Sequence, residues 1–124
     1  MEELTYEQFQ LAIRELVKQI SSHKFTNLYG IPRGGMVVAV YLSHVTGIPL
    51  TQVLSPDKHV LIVDDICETG ETIGSLADDF YTAVIYYDKR CTSIVPDFWV
   101  LEATGFVKFP WETEDSAKVD YKEK

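Results

Sequence analysis

The run Val60–Val63 constrains the fold more than any other part of the chain. A strand with one solvated face alternates polar and apolar residues, whereas this run is apolar at every position. It therefore predicts a strand buried on both faces, at the centre of a parallel sheet. Further strands are predicted from similar short segments at Asn27–Ile31, Leu50–Leu54, Ala83–Tyr87 and Phe98–Leu101, with an aromatic strand or extended segment at Phe106–Trp111.

Three helices are predicted between these strands. Thr5 and Gln8 form a capping-box pair ahead of apolar residues at helical spacing. Met36–Thr46 is strongly apolar and ends at Gly47, and a third helix opens near Thr69 and continues to about Asp79. Strands that alternate with helices imply right-handed βαβ units, so we expect an α/β fold with both faces of the sheet covered. Such sheets bind ligands at the carboxyl ends of their strands.

Composition limits the number of domains and the classes of partner. With 124 residues, 46% of them hydrophobic, we expect one domain over 1–124, with a charged tail from residue 112 that frays. The 11 basic residues against 19 acidic ones give a net charge of −8, which argues against nucleic-acid or membrane partners. The acidic start Met1–Leu4, apolar runs too short for a membrane span and two free cysteines, Cys67 and Cys91, predict a cytoplasmic protein.

The segment Val60–Thr72 contains the most informative polar pattern. Asp64 and Asp65 follow the apolar run, and Thr69-Gly70-Glu71-Thr72 then opens the third helix. Backbone amides around Gly70, the helix N-terminus and the two threonine hydroxyls can form a cradle for an anion. The two acids can hold sugar hydroxyls, directly or through Mg²⁺. The alternative is a solvated Asp-Asp turn before an ordinary helix cap, which explains the acids alone but not the whole string.

This segment resembles the signature of the type I phosphoribosyltransferases for 5-phospho-α-D-ribosyl 1-diphosphate (PRPP), in which an apolar strand, two acids and three variable residues precede Thr-Gly-x-Thr. The resemblance implies the family fold, a parallel sheet flanked by helices with a small C-terminal hood. It implies that Asp64 and Asp65 hold the ribose hydroxyls and Mg²⁺. It also implies a 5′-phosphate site made by Glu68, Thr69, Gly70, Glu71 and Thr72.

A second segment, Gly30–Met36, lies about thirty residues earlier and matches the pyrophosphate-binding loop of the same family. Its glycines allow the backbone to approach an oxyanion closely, and Arg33 provides a delocalised cation. Alone, this segment reads as a glycine-rich turn. Paired with the acidic segment, it implies that Arg33 and Gly34 bind the pyrophosphate and that Arg33 is catalytic.

The C-terminal third resembles the xanthine–guanine phosphoribosyltransferases, through Tyr86–Arg90, Pro96–Phe98 and Phe106–Glu112. The resemblance implies that Lys89 donates to the 6-oxo group of a purine and that Phe106 stacks on the base. It also places the backbone of Val107 at the exocyclic groups and Glu112 near the 2-position. The alternative for each is structural: a surface lysine, a core aromatic residue and packing residues.

Two departures from the family pattern stand out. The purine branch usually has Asp where this chain has Glu68, the residue near the purine N7 that the resemblance makes catalytic. The long flexible loop of the family is reduced here to Ser55–His59, in which Lys58 or His59 is only a partial substitute for a lid.

The predicted function is therefore transfer of the 5-phosphoribosyl group from PRPP to a 6-oxopurine (guanine, xanthine or hypoxanthine), with release of pyrophosphate, in purine salvage. The resemblance implies Mg²⁺ as cofactor and a homodimer or homotetramer. One alternative is a sensor that binds PRPP or a nucleoside monophosphate with little turnover. A transferase for adenine or a pyrimidine is a weaker alternative, disfavoured by Lys89 and the segment Phe106–Glu112.

Overall fold

The computed structural model describes residues 2–54, 59–91 and 93–113. Within them, six strands and three helices follow one another along the chain: β1 (Glu2–Glu3), α1 (Tyr6–Ile20), β2 (Asn27–Gly30), α2 (Gly34–Thr46), β3 (Val60–Cys67), α3 (Glu71–Gly74), β4 (Tyr81–Tyr87), β5 (Phe98–Glu102) and β6 (Val107–Lys108).

The main sheet contains four parallel strands in the order β2-β3-β4-β5. All eight residues of β3 are buried, and β3 lies between β2 and β4. Its side chains alternate between two apolar clusters: Leu61 and Val63 face the cluster that includes α1 and α2, and Ile62 faces the cluster that includes Ile73 of α3. The predicted α/β fold with a central buried strand is confirmed.

Helix α1 follows its predicted cap directly, and α2 ends at the predicted residue but begins at Gly34 rather than at Met36. The Thr5 hydroxyl accepts the Gln8 N–H at 3.2 Å, and the Gln8 side chain accepts the Thr5 N–H at 2.9 Å, which completes the capping box. Helix α2 ends at Gly47, which has a φ of 79° and donates its N–H to Ser43 at 2.8 Å. Although α2 is strongly apolar, no helix in the described parts of the chain is both long and apolar enough to cross a membrane.

A small second sheet, absent from the sequence prediction, joins the two ends of the described chain. Strand β1 pairs in parallel with β6, and the Glu2 and Leu4 N–H groups donate to the Phe106 and Lys108 carbonyls at 2.8 and 2.9 Å. The Tyr86 hydroxyl at the end of β4 donates to Glu2 at 2.7 Å. This sheet forms the C-terminal hood and ties it to β4.

Three elements differ more strongly from their predicted bounds. Strand β3 continues beyond Val63 to Cys67, because its pairing with β4 continues as far as Tyr87. Helix α3 ends at Gly74 rather than near Asp79, and the predicted strand over residues 106–111 is limited to the two residues of β6. For α3 the reason is local, since glycine and the acidic residues that follow it disfavour the last turns of a helix.

The predicted strand Leu50–Leu54 is also wrong. Leu28 donates its N–H to Pro49 and accepts from Thr51, both at 2.9 Å, which leaves one isolated bridge between Leu28 and Leu50. The chain then turns away because the Thr51 hydroxyl accepts the Val53 N–H at 3.2 Å. A local hydrogen bond of this kind competes with strand pairing.

The outer edge of β5 is covered by a side chain of α1. The Gln19 amide donates to the Trp99 carbonyl at 2.8 Å and accepts the Trp99 N–H at 3.2 Å. An uncovered edge strand presents unpaired backbone N–H and carbonyl groups to other chains. Gln19 forms hydrogen bonds with both backbone groups of Trp99 on this edge and so anchors α1 to β5.

We expect Gln19→Ala to lower the free energy of unfolding by about 1–2 kcal/mol, since two backbone groups lose their partner. Urea unfolding measures this change. Gln10→Ala is the matched control, because Gln10 lies on an exposed position of the same helix. Equal unfolding free energies for the two variants would show that the Gln19 contacts contribute nothing.

Candidate functional site

The loops that follow β2 and β3 meet at the carboxyl edge of the sheet. Ile31 donates its N–H to the Val63 carbonyl at 2.9 Å, which brings the first loop over β3. A Cβ atom at Gly34 would overlap the Asp65 carboxylate, and one at Gly35 would lie 2.5 Å from the Val63 carbonyl oxygen. Only glycine permits this approach, so the two motifs predicted separately from the sequence form one site.

Asp64 and Asp65 are held rigidly inside β3. Their exposed fractions are only 2% and 1%. The Asp64 carboxylate accepts the Asp65 N–H and the Asp65 carboxylate accepts the Ile66 N–H, each at 2.8 Å. The sequence predicts a strand that ends with the apolar run at Val63, so that the acids follow it; this is wrong, because β3 continues past them to Cys67. Instead, the pair is fixed in orientation by the backbone that follows it.

The segment after β3 curves around a small depression. Its walls are formed by side chains and backbone from the acidic pair to α3: Asp64, Ile66, Cys67, Glu68, Thr69, Gly70, Thr72 and Ile73. Gly70 has a φ of 80°, and a Cβ atom there would lie 2.7 Å from the Ser93 hydroxyl. Ser93 also donates to the Thr69 carbonyl at 3.2 Å, so the chain beyond β4 supports this loop. The depression gathers five of the residues predicted to bind the sugar phosphate.

The shortness of α3 changes how this loop can bind an anion. The helix has one turn, Glu71–Gly74, and the Thr69 hydroxyl accepts the Glu71 N–H at 3.3 Å. A four-residue helix contributes little dipole, so the helix N-terminus predicted from the sequence is not a major source of anion affinity. Backbone amides of the loop and the threonine hydroxyls remain as donors.

Arg33 is exposed and directly precedes α2, so it is the chain neighbour of Gly34 in the first loop of the site. The peptide bond between Pro32 and Arg33 is cis.

Lys89 lies in the loop after β4 and is exposed. Its ammonium is 3.7 Å from a Glu102 carboxylate oxygen and 5.0 Å from the centre of the Trp99 ring, both on β5. Both partners of the ion pair are about half exposed, and pairs of this kind contribute about 0–1 kcal/mol. A ligand oxygen can therefore compete with Glu102 for this lysine.

The predicted base-binding residues of the hood have mixed surroundings. Phe106 is half-buried and its carbonyl accepts the Glu2 N–H, while Val107 is buried in β6. Glu112 is buried, and its carboxylate accepts the Phe109 N–H at 2.9 Å. Residue 112 is therefore anchored rather than frayed, and residues 114–124 of the predicted tail lie outside the described residues. Binding of a purine by these groups stays a prediction.

Cys67 and Cys91 are both free, as the sequence predicts, and both are buried. Burial, with the nearby Cys91 thiol as the next cause, raises the pKa of Cys67 to about 12. The Cys67 thiol is consequently protonated at neutral pH and is a poor nucleophile, although it lines the depression.

The acidic pair has the donor chemistry that Mg²⁺ prefers. Mg²⁺ is commonly held by one or two carboxylates together with water and substrate oxygens. Asp64 and Asp65 supply two such carboxylates, and no group of three or more metal-ligating side chains occurs in the described parts of the chain. The pair thus has donor atoms of the kind that Mg²⁺ binds, and magnesium binding stays a prediction.

Three residues around Lys89 were missed by the sequence analysis: Asp88, Trp99 and Glu102. Asp88 is buried directly before two exposed basic residues, and the pattern Asp-Lys-Arg after a buried strand was a detectable signal for a turn. Trp99 and Glu102 become neighbours of Lys89 only through the pairing of β4 with β5, which the sequence does not specify.

Comparison with solved structures identifies the fold. A purine phosphoribosyltransferase from Pyrococcus horikoshii matches with a TM-score of 0.78 and 26% identity, covering 90% of this chain and 94% of that one. A xanthine-guanine-hypoxanthine phosphoribosyltransferase from Helicobacter pylori matches with a TM-score of 0.78 and 21% identity over 99% of both chains. A hypothetical protein from Neisseria gonorrhoeae with bound ppGpp matches with a TM-score of 0.68 and 17% identity, covering 97% and 94%.

No known family model and no curated protein sequence matches the chain. The structural matches nevertheless confirm the predicted resemblance, the fold class and the assignment as an enzyme. The parallel sheet flanked by helices agrees with these matches. We conclude that this chain has the type I phosphoribosyltransferase fold and is similar in architecture to purine phosphoribosyltransferases of that fold.

Proposed function

We propose that the protein transfers the 5-phosphoribosyl group of PRPP to a 6-oxopurine, which gives a nucleoside 5′-monophosphate and pyrophosphate. The observation that carries the proposal is the contact between Gly34 and Asp65, which joins the predicted pyrophosphate loop to the predicted ribose-binding acids. The structural matches support phosphoribosyl transfer. The choice of a 6-oxopurine rests on Lys89 and the hood.

In this reaction the bond from the ribose C1 to pyrophosphate breaks while the purine N9 bonds to C1 and the base loses a proton. Positive charge develops on the sugar and negative charge on the leaving pyrophosphate. Arg33 stabilises the leaving group, and this contribution grows in the transition state. Asp64 and Asp65 hold the ribose hydroxyls. Glu68 receives the proton at the purine N7 side of the base.

The 5′-phosphate is bound by the loop Glu68–Thr72, through its backbone amides and the hydroxyls of Thr69 and Thr72. Asp64 and Asp65 would also hold Mg²⁺, which neutralises charge on the pyrophosphate when bound. These carboxylates are already oriented by backbone N–H groups, so little reorganisation is needed to receive the ion.

The shortened loop between Leu54 and Val60 limits turnover. Residues 55–58 lie outside the described residues, so the predicted loss of a lid stays a prediction. A loop of five residues must extend from the sheet and come back to it. It cannot reach across a diphosphate, because each extended residue adds at most about 3.3–3.6 Å. Water then reaches the developing cation, and PRPP hydrolysis competes with transfer to the base.

Nucleotide sensing without turnover is the second candidate function. The observation in its favour is the same short loop, since ground-state contacts survive the loss of a lid whereas transition-state contacts do not. The fold is compatible with it, because the Neisseria gonorrhoeae protein of the same fold contains bound ppGpp.

Lys89→Met tests the base assignment. A lysine only donates hydrogen bonds, so it favours an acceptor oxygen at position 6 and disfavours the amino group of adenine. We expect the variant to reduce the preference for guanine over adenine by about 1–3 kcal/mol, the range of hydrogen bonds to charged groups. The measurement is the ratio of kcat/KM for the two bases in each protein.

Lys18→Met is the control for this comparison, because Lys18 is an exposed lysine of α1 that pairs only with Glu15 on the same helix among the contacts described. It should keep the wild-type preference. Equal kcat/KM for guanine and adenine in the wild-type protein would overturn the assignment of Lys89.

A further inference from the structure

A buried carboxylate stands directly beside Lys89. Asp88 is the first residue after β4, and its side chain is only 8% exposed, whereas the neighbouring Lys89 and Arg90 side chains are 53% and 71% exposed. A buried charge is costly unless it is paired and hydrogen-bonded. A buried aspartate at this position therefore requires a stabilising partner, which a neutral turn residue would not need.

Arg90 provides the pairing. Its Nε atom lies 2.9 and 3.2 Å from the two Asp88 carboxylate oxygens, its Nη2 atom lies 2.6 Å from Oδ2, and its backbone N–H donates to Oδ1 at 3.0 Å. These hydrogen bonds hold the pKa of Asp88 below its usual range, so the carboxylate is ionised at neutral pH. Because Asp88 and Arg90 are bound to each other, the residue between them is confined to one turn geometry.

The backbone of Asp88 joins this turn to the sugar-phosphate side of the site. Its N–H donates to the Cys67 carbonyl at 2.9 Å, and its own carbonyl accepts the Cys91 N–H at 3.0 Å. Cys67 is the last residue of β3 and directly precedes Glu68. The turn that presents Lys89 is thus fastened to the start of the loop that surrounds the depression.

We propose that Asp88 is a positioning residue that fixes Lys89 for recognition of the 6-position of the base. The inference rests on the proposed function, since it assigns Asp88 a role only through Lys89. The Asp88–Arg90 pair sets where the lysine leaves the backbone, and Glu102 and Trp99 restrain its ammonium before the base arrives. A lysine fixed in this way loses less side-chain entropy when it binds a ligand oxygen.

The expected consequence is selective. Asp88→Asn removes the charge of the side chain but keeps its shape, which weakens its pairing with Arg90. The Lys89 side chain then gains conformational freedom, and it loses this freedom when GMP binds. Immobilising a long side chain costs about 0.5–1.5 kcal/mol, which corresponds to weakening of GMP binding by about threefold to tenfold. Affinity for AMP and for ribose 5-phosphate should stay within twofold of the wild type, since neither presents an oxygen at position 6.

Calorimetry with GMP, AMP and ribose 5-phosphate tests the inference in the full chain. A double-mutant comparison separates positioning from a general structural effect: Asp88→Asn should weaken GMP binding in the wild-type background and have no further effect in the Lys89→Met background. Asp79→Asn, at an exposed aspartate before β4, is the matched control and should change nothing. If Asp88→Asn does not fold, Arg90→Gln, at an exposed position, takes its place.

The outcomes distinguish the two proposals. Wild-type protein that binds none of the three ligands contradicts the proposed function and removes the basis of this inference with it. Two results would overturn only the positioning role, provided that the wild-type protein binds GMP. In the first, Asp88→Asn weakens binding of all three ligands equally. In the second, Asp88→Asn weakens GMP binding as much in the Lys89→Met background as in the wild-type background. Selective loss of GMP affinity that disappears with Lys89→Met is the result we expect.

Discussion

Gly35→Ala is expected to disrupt both folding and activity. The new Cβ atom would lie 2.5 Å from the Val63 carbonyl oxygen and 3.0 Å from the Asp64 Cα atom, and both are backbone atoms of the central strand. Neither can move without disturbing β3, so we expect a loss of about 1–3 kcal/mol in the free energy of unfolding. The loop must lift from β3, and a displacement near 1 Å can reduce transfer by about 10²-fold.

Gly74→Ala is the control for this variant, because a Cβ atom at Gly74 meets nothing within 4 Å and its φ is not in the left-handed region. It should leave PRPP binding unchanged. Urea unfolding measures the loss of stability, a steady-state assay of PRPP with Mg²⁺ and guanine measures transfer, and calorimetry with PRPP checks the control. A Gly35→Ala protein as stable and as active as Gly74→Ala would show that the close approach of the two loops is not required.

Asp64→Asn should cause the second large effect, a loss of PRPP affinity of about 10-fold to 100-fold, corresponding to about 1.5–3 kcal/mol for hydrogen bonds to a charged group. Asp64 lines the depression, and its carboxylate is held by the Asp65 N–H at 2.8 Å. Asparagine keeps an acceptor for that N–H, so the fold should survive while the negative charge is lost. Asp65→Asn should behave similarly, since the two acids act on the same ligand.

Magnesium gives this prediction a second readout. Wild-type affinity for PRPP should increase with added Mg²⁺ and fall when the ion is removed with a chelator, whereas Asp64→Asn should respond much less. Asp79→Asn, an exposed aspartate outside the site, should respond as the wild type does. Undiminished PRPP affinity in both Asp64→Asn and Asp65→Asn would exclude the acidic pair from the binding site.

Sequence alone predicted the central part of this fold well because its signals are local. The uniformly apolar Val60–Val63, the capping box at Thr5 and the glycine at position 47 each specify structure through neighbouring residues. The two segments of the site were predicted for the same reason, as glycine and acidic residues directly follow short apolar runs. Their contact through Gly34 could be expected only from the rule that parallel strands end at one edge.

What sequence did not predict depends on contacts between distant residues. The pairing of β1 with β6 joins two-residue strands more than 100 positions apart, and such short segments carry no periodic pattern. The Gln19 side chain that covers β5 and the Glu102 partner of Lys89 are set by packing of whole elements. Asp88 is a different case, because its turn is formed by neighbouring residues and could be predicted. Only the burial of its side chain could not be predicted from the sequence.

The most direct test of the account is a steady-state assay of PRPP with Mg²⁺ and guanine, hypoxanthine, xanthine or adenine, beside a base-free control for hydrolysis. We predict formation of nucleoside 5′-monophosphate and pyrophosphate with the 6-oxopurines well ahead of adenine, at low turnover and with measurable hydrolysis of PRPP. Product from adenine at the same rate would contradict the base assignment. Binding of PRPP without product from any of the four bases would contradict phosphoribosyl transfer to a purine and favour a nucleotide sensor.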